Sequence, residues 1–147
     1  MTRGSSTQPP EEIFLIEVAA TPENVGRARH AVAEFLRRRA WCADEADAFL
    51  LAVGEACNNA VNYGGLDFSD PLLVVTCQPL GDLKLQIDVR NMGNGFHPNL
   101  SEYGQMPVSD FATHGRGFRL MLALVDDVQV LSDGANTIVR LTKSKIG

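Results

Sequence analysis

Glu55 and Asn59 stand one helical turn apart in "LLAVGEACNNAVNYGG", residues 50–65, so both side chains project from one edge of a helix that buries small apolar residues. Asn58 and Asn62 flank them. An isolated E-x-x-x-N is an ordinary polar helix edge; its company makes this one a candidate for chemistry. "NMGNGF", Asn91–Phe96, ends a half-buried strand with two glycines, as needed where backbone turns sharply or lets a ligand approach. "HGRGF", His114–Phe118, sets Gly115, Arg116 and Gly117 at the start of an apolar helix, where free N–H groups and the helix dipole favour phosphate. Neither stretch fits G-x-x-x-x-G-K-[ST], nor G-x-G-x-x-G after a strand.

The rest of the chain must position these segments. With 147 residues, 45% apolar and 21% charged, it has room for one globular domain with one core. A net charge of -5 argues against a nucleic-acid or anionic-membrane surface, because those partners need clustered Lys and Arg. The dense basic run Arg37, Arg38, Arg39 suits a solvated helix end. No apolar stretch reaches the length of a membrane span, and the N-terminus lacks a signal peptide's apolar core, so a cytoplasmic protein is expected. Cys42, Cys57 and Cys77 are odd in number and lack C-x-x-C spacing, so they read as small core residues rather than disulfides or zinc ligands. His30 reads as a surface or structural histidine.

Residues 1–10 are expected to form a tail outside the fold, and 11–147 a single domain. "IFLIEVAA" suits a first strand; Thr21 then caps a helix with Pro22 at its first position and a stripe of Val25, Ala28, Val32, Phe35 and Leu36. A second helix runs from near Asp44 to Gly64. "PLLVVTCQP" and "DLKLQIDVRN" read as strands joined by a turn at Leu80 and Gly81. In the latter, Leu83, Leu85, Ile87 and Val89 share a buried face; Asn91 continues that phase, and Asp88 points the other way. His97–Thr113 has no sustained period, as in a functional lid or a locally disordered loop. "GRGFRLMLALVDDV" becomes a helix, and "VQVLS" and "NTIVRLTK" close the chain as strands around Asp133-Gly134. This order predicts an α+β two-layer sandwich: a mixed, mostly antiparallel sheet with three helices on one face.

With the motifs in this order, the sequence resembles the GHKL, or Bergerat-fold, ATPases over about Ile13 to Lys143, and within them the anti-sigma factor serine/threonine-protein kinases of bacterial partner-switching systems. "VGEACNNAVNYG" looks like the family's N-box, "VRNMGNGF" its first glycine box, "GRGFRLMLALVDDV" its second and "NTIVRLT" its closing strand. The resemblance implies ATP and Mg²⁺ as cofactors, with Glu55 as general base and Asn59 holding the ion, a role that suits a hard amide oxygen. It further implies that Gly93 and Gly95 shape the adenine pocket, that Gly115, Arg116 and Gly117 meet the terminal phosphates, and that Thr137 supports the base through its hydroxyl. The implied partners are a sigma factor, an anti-anti-sigma (STAS-domain) antagonist that is phosphorylated, and a second copy in a homodimer. The alternative is a nucleotide-binding partner-switching module that acts by protein binding alone.

One position departs from the pattern. The first glycine box of the family opens with an aspartate that accepts a hydrogen bond from the exocyclic amine of adenine; here it opens with Asn91. The amide oxygen still accepts, and loss of charge assistance costs on the order of 1 kcal/mol. An amide is also a donor, so its NH₂ turned toward the base would favour a guanine carbonyl. The sequence leaves both orientations open.

Overall fold

The structure, a computed structural model, describes residues 12–62, 70–92, 104–105, 117–132 and 136–145. Strand β1 (Phe14–Ala19) alternates, with Phe14, Ile16 and Val18 packed on the core and the residues between them exposed. Helix α1 (Pro22–Arg38) buries Val25, Ala28, Val32, Phe35 and Leu36, the stripe predicted from its spacing. Thr21 stands at its N-cap without bonding its side chain to a helix N–H, which departs from the expected cap. The Thr21 side chain instead hydrogen-bonds Glu23 and holds that carboxyl below its usual range. After the helix, Ala40 takes a left-handed φ of 61°, and the Trp41 N–H reaches back to the Leu36 carbonyl at 3.1 Å. That closure, normally given to glycine, turns Trp41 onto Phe49, with ring centroids 5.5 Å apart.

Helix α2 (Ala43–Asn62) is the central helix. Phe49, Ala52, Val53, Gly54, Ala56 and Cys57 are buried, and Leu50, Ala60 and Val61 pack partly buried against the same core. A Cβ on Gly54 would lie 3.1 Å from Arg29 Cδ and Nε, so the missing side chain gives Arg29 its passage between α1 and α2. Strands β2 (Leu72–Pro79) and β3 (Lys84–Met92) form a hairpin in which Leu80 N–H bonds the Lys84 carbonyl at 2.8 Å and Gly81 supplies a φ of 80°. A two-residue strand β4 (Gly104–Gln105) is followed by helix α3 (Gly117–Leu124) and strands β5 (Asp127–Ser132) and β6 (Thr137–Ser144).

The sheet order is β1-β2-β3-β6-β5-β4, and every pairing is antiparallel, so the parallel component allowed for by a mixed sheet does not occur among the described residues. Leu73, Val75 and Cys77 of β2, Leu85, Ile87 and Val89 of β3, Val139 and Leu141 of β6, and Val128 and Val130 of β5 join α1, α2 and α3 in one core. These strand positions have one parity, so the helices cover one face, as the two-layer α+β reading requires. Strand β4 falls inside the segment expected to be lid or loop; it pairs Gly104 with Ser132 and Gln105 with Leu131, covering part of an otherwise open edge.

The opposite face is not simply wet. Asp88, Arg90 and Thr142 are buried there beside Val74 and Ile138. Arg140 donates to Asp88 through Nε at 2.9 Å and Nη2 at 3.0 Å, a two-pronged contact that raises the arginine's pKa. Of the cysteines, Cys57 and Cys77 are buried, and burial pushes each thiol up to about 12. Cys42 is exposed, which corrects its reading as a core residue: it lies in the α1–α2 connection, its Sγ 3.3 Å from Glu45 Oε1. His30 is exposed, and Arg37 at the end of α1 pairs with Glu34 at 2.8 Å.

Candidate functional site

The apolar stripe of α2 lies on one side of the helix, which leaves an edge where Glu55 and Asn59 are each half-buried and Asn58 and Asn62 are exposed. The i, i+4 geometry expected from the sequence therefore holds within one unbroken helix. Half-burial suits a working carboxylate and amide, because each keeps access to a ligand while the helix fixes its direction. What surrounds α2 matters as much. It packs against α3, whose first residue is Gly117, and against β3 and β6, which carry Asn91 and Thr137.

Asn91 is the best-defined member of the site. It lies at the end of β3 in the helix-facing phase, directly between Leu73 of β2 and Thr137 of β6. Only 2% of it is exposed. Its Oδ1 accepts a 2.9 Å hydrogen bond from the Thr137 backbone N–H, so the side chain closes the end of the β3–β6 ladder. The partner fixes the orientation of the amide: an N–H can only donate, so the oxygen must face it. Nδ2 is thereby turned away, enclosed, and without a hydrogen-bond partner among the described residues. A buried donor with no acceptor costs about 1 to 3 kcal/mol, which is uncommon in a finished core and ordinary where a ligand completes the set.

The structure thus joins Asn91 to Thr137 and sets both strands against the helix that carries Glu55 and Asn59. The contact of Thr137 that is seen uses its backbone N–H, a link no sequence signal announced because the two residues are 46 apart. Gly93, Gly95, Gly115 and Arg116 lie outside the described residues, and Gly117 is described only as the start of α3. Gly54 was not singled out by its spacing; its role is visible only when Arg29 lies over it. The described oxygens of α2 are of the kind that fits a hard cation. A carboxylate and an amide oxygen share one half-buried helix edge, the oxygen types such an ion takes.

Comparisons with known proteins agree with that architecture. Residues 18–143 match the model of the histidine kinase-like ATPase domain. The chain is 31% identical over 138 residues to a serine-protein kinase RsbW of Bacillus pumilus, covering 87% of this chain and 85% of the relative. It is 26% identical over 129 residues to RsbW of Bacillus subtilis, covering 84% and 80% respectively. A crystal structure of the RsbU and RsbW domains of a Mycobacterium tuberculosis protein superposes with a TM-score of 0.68 at 19% identity, covering 94% of this chain and 34% of that one. That structure supports the fold, and this chain spans about a third of its length. No helix among the described residues is long and apolar enough to cross a membrane. The chain belongs to the histidine kinase-like (GHKL) ATPases and, within them, to the anti-sigma factor serine/threonine-protein kinase family.

Proposed function

We propose that this protein is a cytoplasmic anti-sigma factor that sequesters a sigma factor and phosphorylates a serine or threonine of a small STAS-type antagonist, working as a homodimer. One observation carries the reading: the helix bearing Glu55 and Asn59 packs against each described element that bears another site residue, α3, β3 and β6. Magnesium-bound ATP, the family's cofactor, supplies the transferable phosphoryl group when bound. Phosphoryl transfer asks a protein mainly for alignment and charge neutralisation. Glu55 takes the proton of the incoming hydroxyl, and Asn59 offers its amide oxygen to the cation. Gly115, Arg116 and Gly117 meet the terminal phosphates, Gly93 and Gly95 shape the base pocket, and Thr137 works with Asn91 at the base.

The test is transfer of label from γ-labelled ATP or GTP to a purified STAS-domain antagonist, with Glu55→Ala as control. The expected result is transfer that falls at least about a hundredfold in the variant, with its melting temperature unchanged. Tight antagonist or sigma-factor binding with no transfer from either nucleotide would overturn the kinase and leave the binding module.

A further inference from the structure

We propose that the end of the molecule away from Asn91 is a docking surface for an acidic, leucine-bearing segment of a partner protein. The β2–β3 turn, the end of α1 and the end of β6 meet there. Lys145, just past β6, donates its backbone N–H to the Leu83 carbonyl at 2.7 Å and its ammonium to the Arg39 carbonyl at 2.7 Å, which ties the turn to the helix end. The turn is itself closed by the Leu80 N–H on the Lys84 carbonyl at 2.8 Å. Turn tips are ordinarily polar. Here Leu80 is 40% exposed and Leu83 62%, and Ile13, which precedes the Phe14 that pairs with Cys77, is 59% exposed. The backbone that carries the two leucines is already fixed, so covering them costs little ordering entropy.

Charge indicates what covers them. Arg38, Arg39, Lys84, Lys143 and Lys145 belong to the same end, and none is in an ion pair among the described residues. The Arg38 and Arg39 guanidiniums lie 6.0 and 5.8 Å from the Phe35 ring centroid, and the Lys145 ammonium 5.7 Å from that of Trp41, so aromatic faces help hold these cations. Glu12, Asp44 and Asp82 are the exposed carboxylates nearby; Glu34 and Asp126 are already engaged by Arg37 and the Ser144 N–H. A local excess of cations around apolar side chains, in a chain of net charge -5, complements an acidic partner with leucines of its own. An anionic membrane fits less well, because a flat charged plane would also meet Asp82 at the tip, whereas a shaped segment avoids it. Lys84 and Asn91 stand near opposite ends of β3, roughly 23 Å apart, so a partner seated here leaves the Asn91 end clear, and the proposal does not depend on the nucleotide reading.

Titration of the isotope-labelled full chain with a short synthetic peptide of leucine and glutamate at helical spacing, followed by NMR, tests this. Saturable shifts are expected at Leu80, Leu83, Lys84 and Lys145, with Glu55 and Asn91 unmoved. Arg38→Glu combined with Lys84→Glu should weaken binding about tenfold and Leu83→Ser about fivefold, with melting temperatures unchanged because all three side chains are exposed. If the double variant melts early, Leu83→Ser and the loss of affinity on raising salt decide in its place. No saturable binding, shifts centred elsewhere, or equal binding of a peptide with lysine in place of glutamate would overturn the proposal. Phosphatidylglycerol vesicles that shift these residues where the peptide does not would overturn it in favour of a membrane.

Discussion

Strand β3 buries two polar side chains three residues apart, on opposite faces of the sheet, and treats them differently. Asp88, 3% exposed, is gripped by Arg140 at 2.9 and 3.0 Å and approached by Arg90 Nη2 at 3.5 Å. Asn91, 2% exposed, has its oxygen bonded and its nitrogen without a partner among the described residues. The first is an ion-pair network that ties strands β3 and β6 together on the face away from the helices, beside a Thr76 Oγ1 that has no hydrogen-bond partner among the described residues. The second is half of a network, on the face toward the helices, at the strand end where the glycine-rich segment begins. Equal burial therefore does not mean equal purpose. The two differ in charge and in partner: one is held by an arginine side chain, the other by a backbone N–H.

Mutation can break that contrast. Asp88→Ala is expected to cost the most, about 3 kcal/mol, because the guanidinium of Arg140 loses its counter-charge in a largely buried site. Urea unfolding measures it, and a cost below about 1 kcal/mol would place the pair with ordinary surface ion pairs. The thermal shift produced by saturating nucleotide should survive in that variant. Asn91→Ala is expected to cost less, about 1 kcal/mol, since it removes an orphaned donor along with the acceptor of Thr137 N–H, but it should shrink the nucleotide-induced shift. Matching stability losses with an unchanged shift in both variants would erase the distinction.

The smallest effect concerns the buried side of α2, where Cys57 contrasts with the half-buried edge of Glu55 and Asn59. At pH 8 a thiol reagent should modify Cys42 alone in the native chain and all three cysteines after unfolding, since Cys57 and Cys77 are enclosed with thiols raised to about 12. The folded pKa lies above the ordinary 9.0, so the stability these protonated thiols contribute is fully present below pH 9.0 and lost as pH rises toward about 12. Rapid native labelling of Cys57 would contradict the packing of α2.

Much of the framework was legible because it is written in short-range periods. The stripe of α1 repeats within a few residues and is buried as its spacing predicts; in β3 Leu85, Ile87 and Val89 are buried as expected, but Leu83 precedes the strand and is 62% exposed, and Asp88 and Arg90 are buried on the opposite face. The same alternation put Asn91 inside and Asp88 opposite before any coordinates. Cys42 escaped the pattern because it falls in a connection, where no period applies. Strand β4 escaped it because two residues carry no period at all; it exists by pairing with β5.

The sequence by itself determined every described element but β4, the shared edge of Glu55 and Asn59, and the inward phase of Asn91, since helix and strand geometry fix the direction of each side chain from its neighbours. Only the tertiary structure decided that β3 lies beside β6, across a long insertion, and hence that Thr137 meets Asn91. The direction of that amide followed from the same pairing. A planar group with a donor at one end and an acceptor at the other takes its orientation from whatever the fold sets against it, and nothing in the local chain encodes that neighbour.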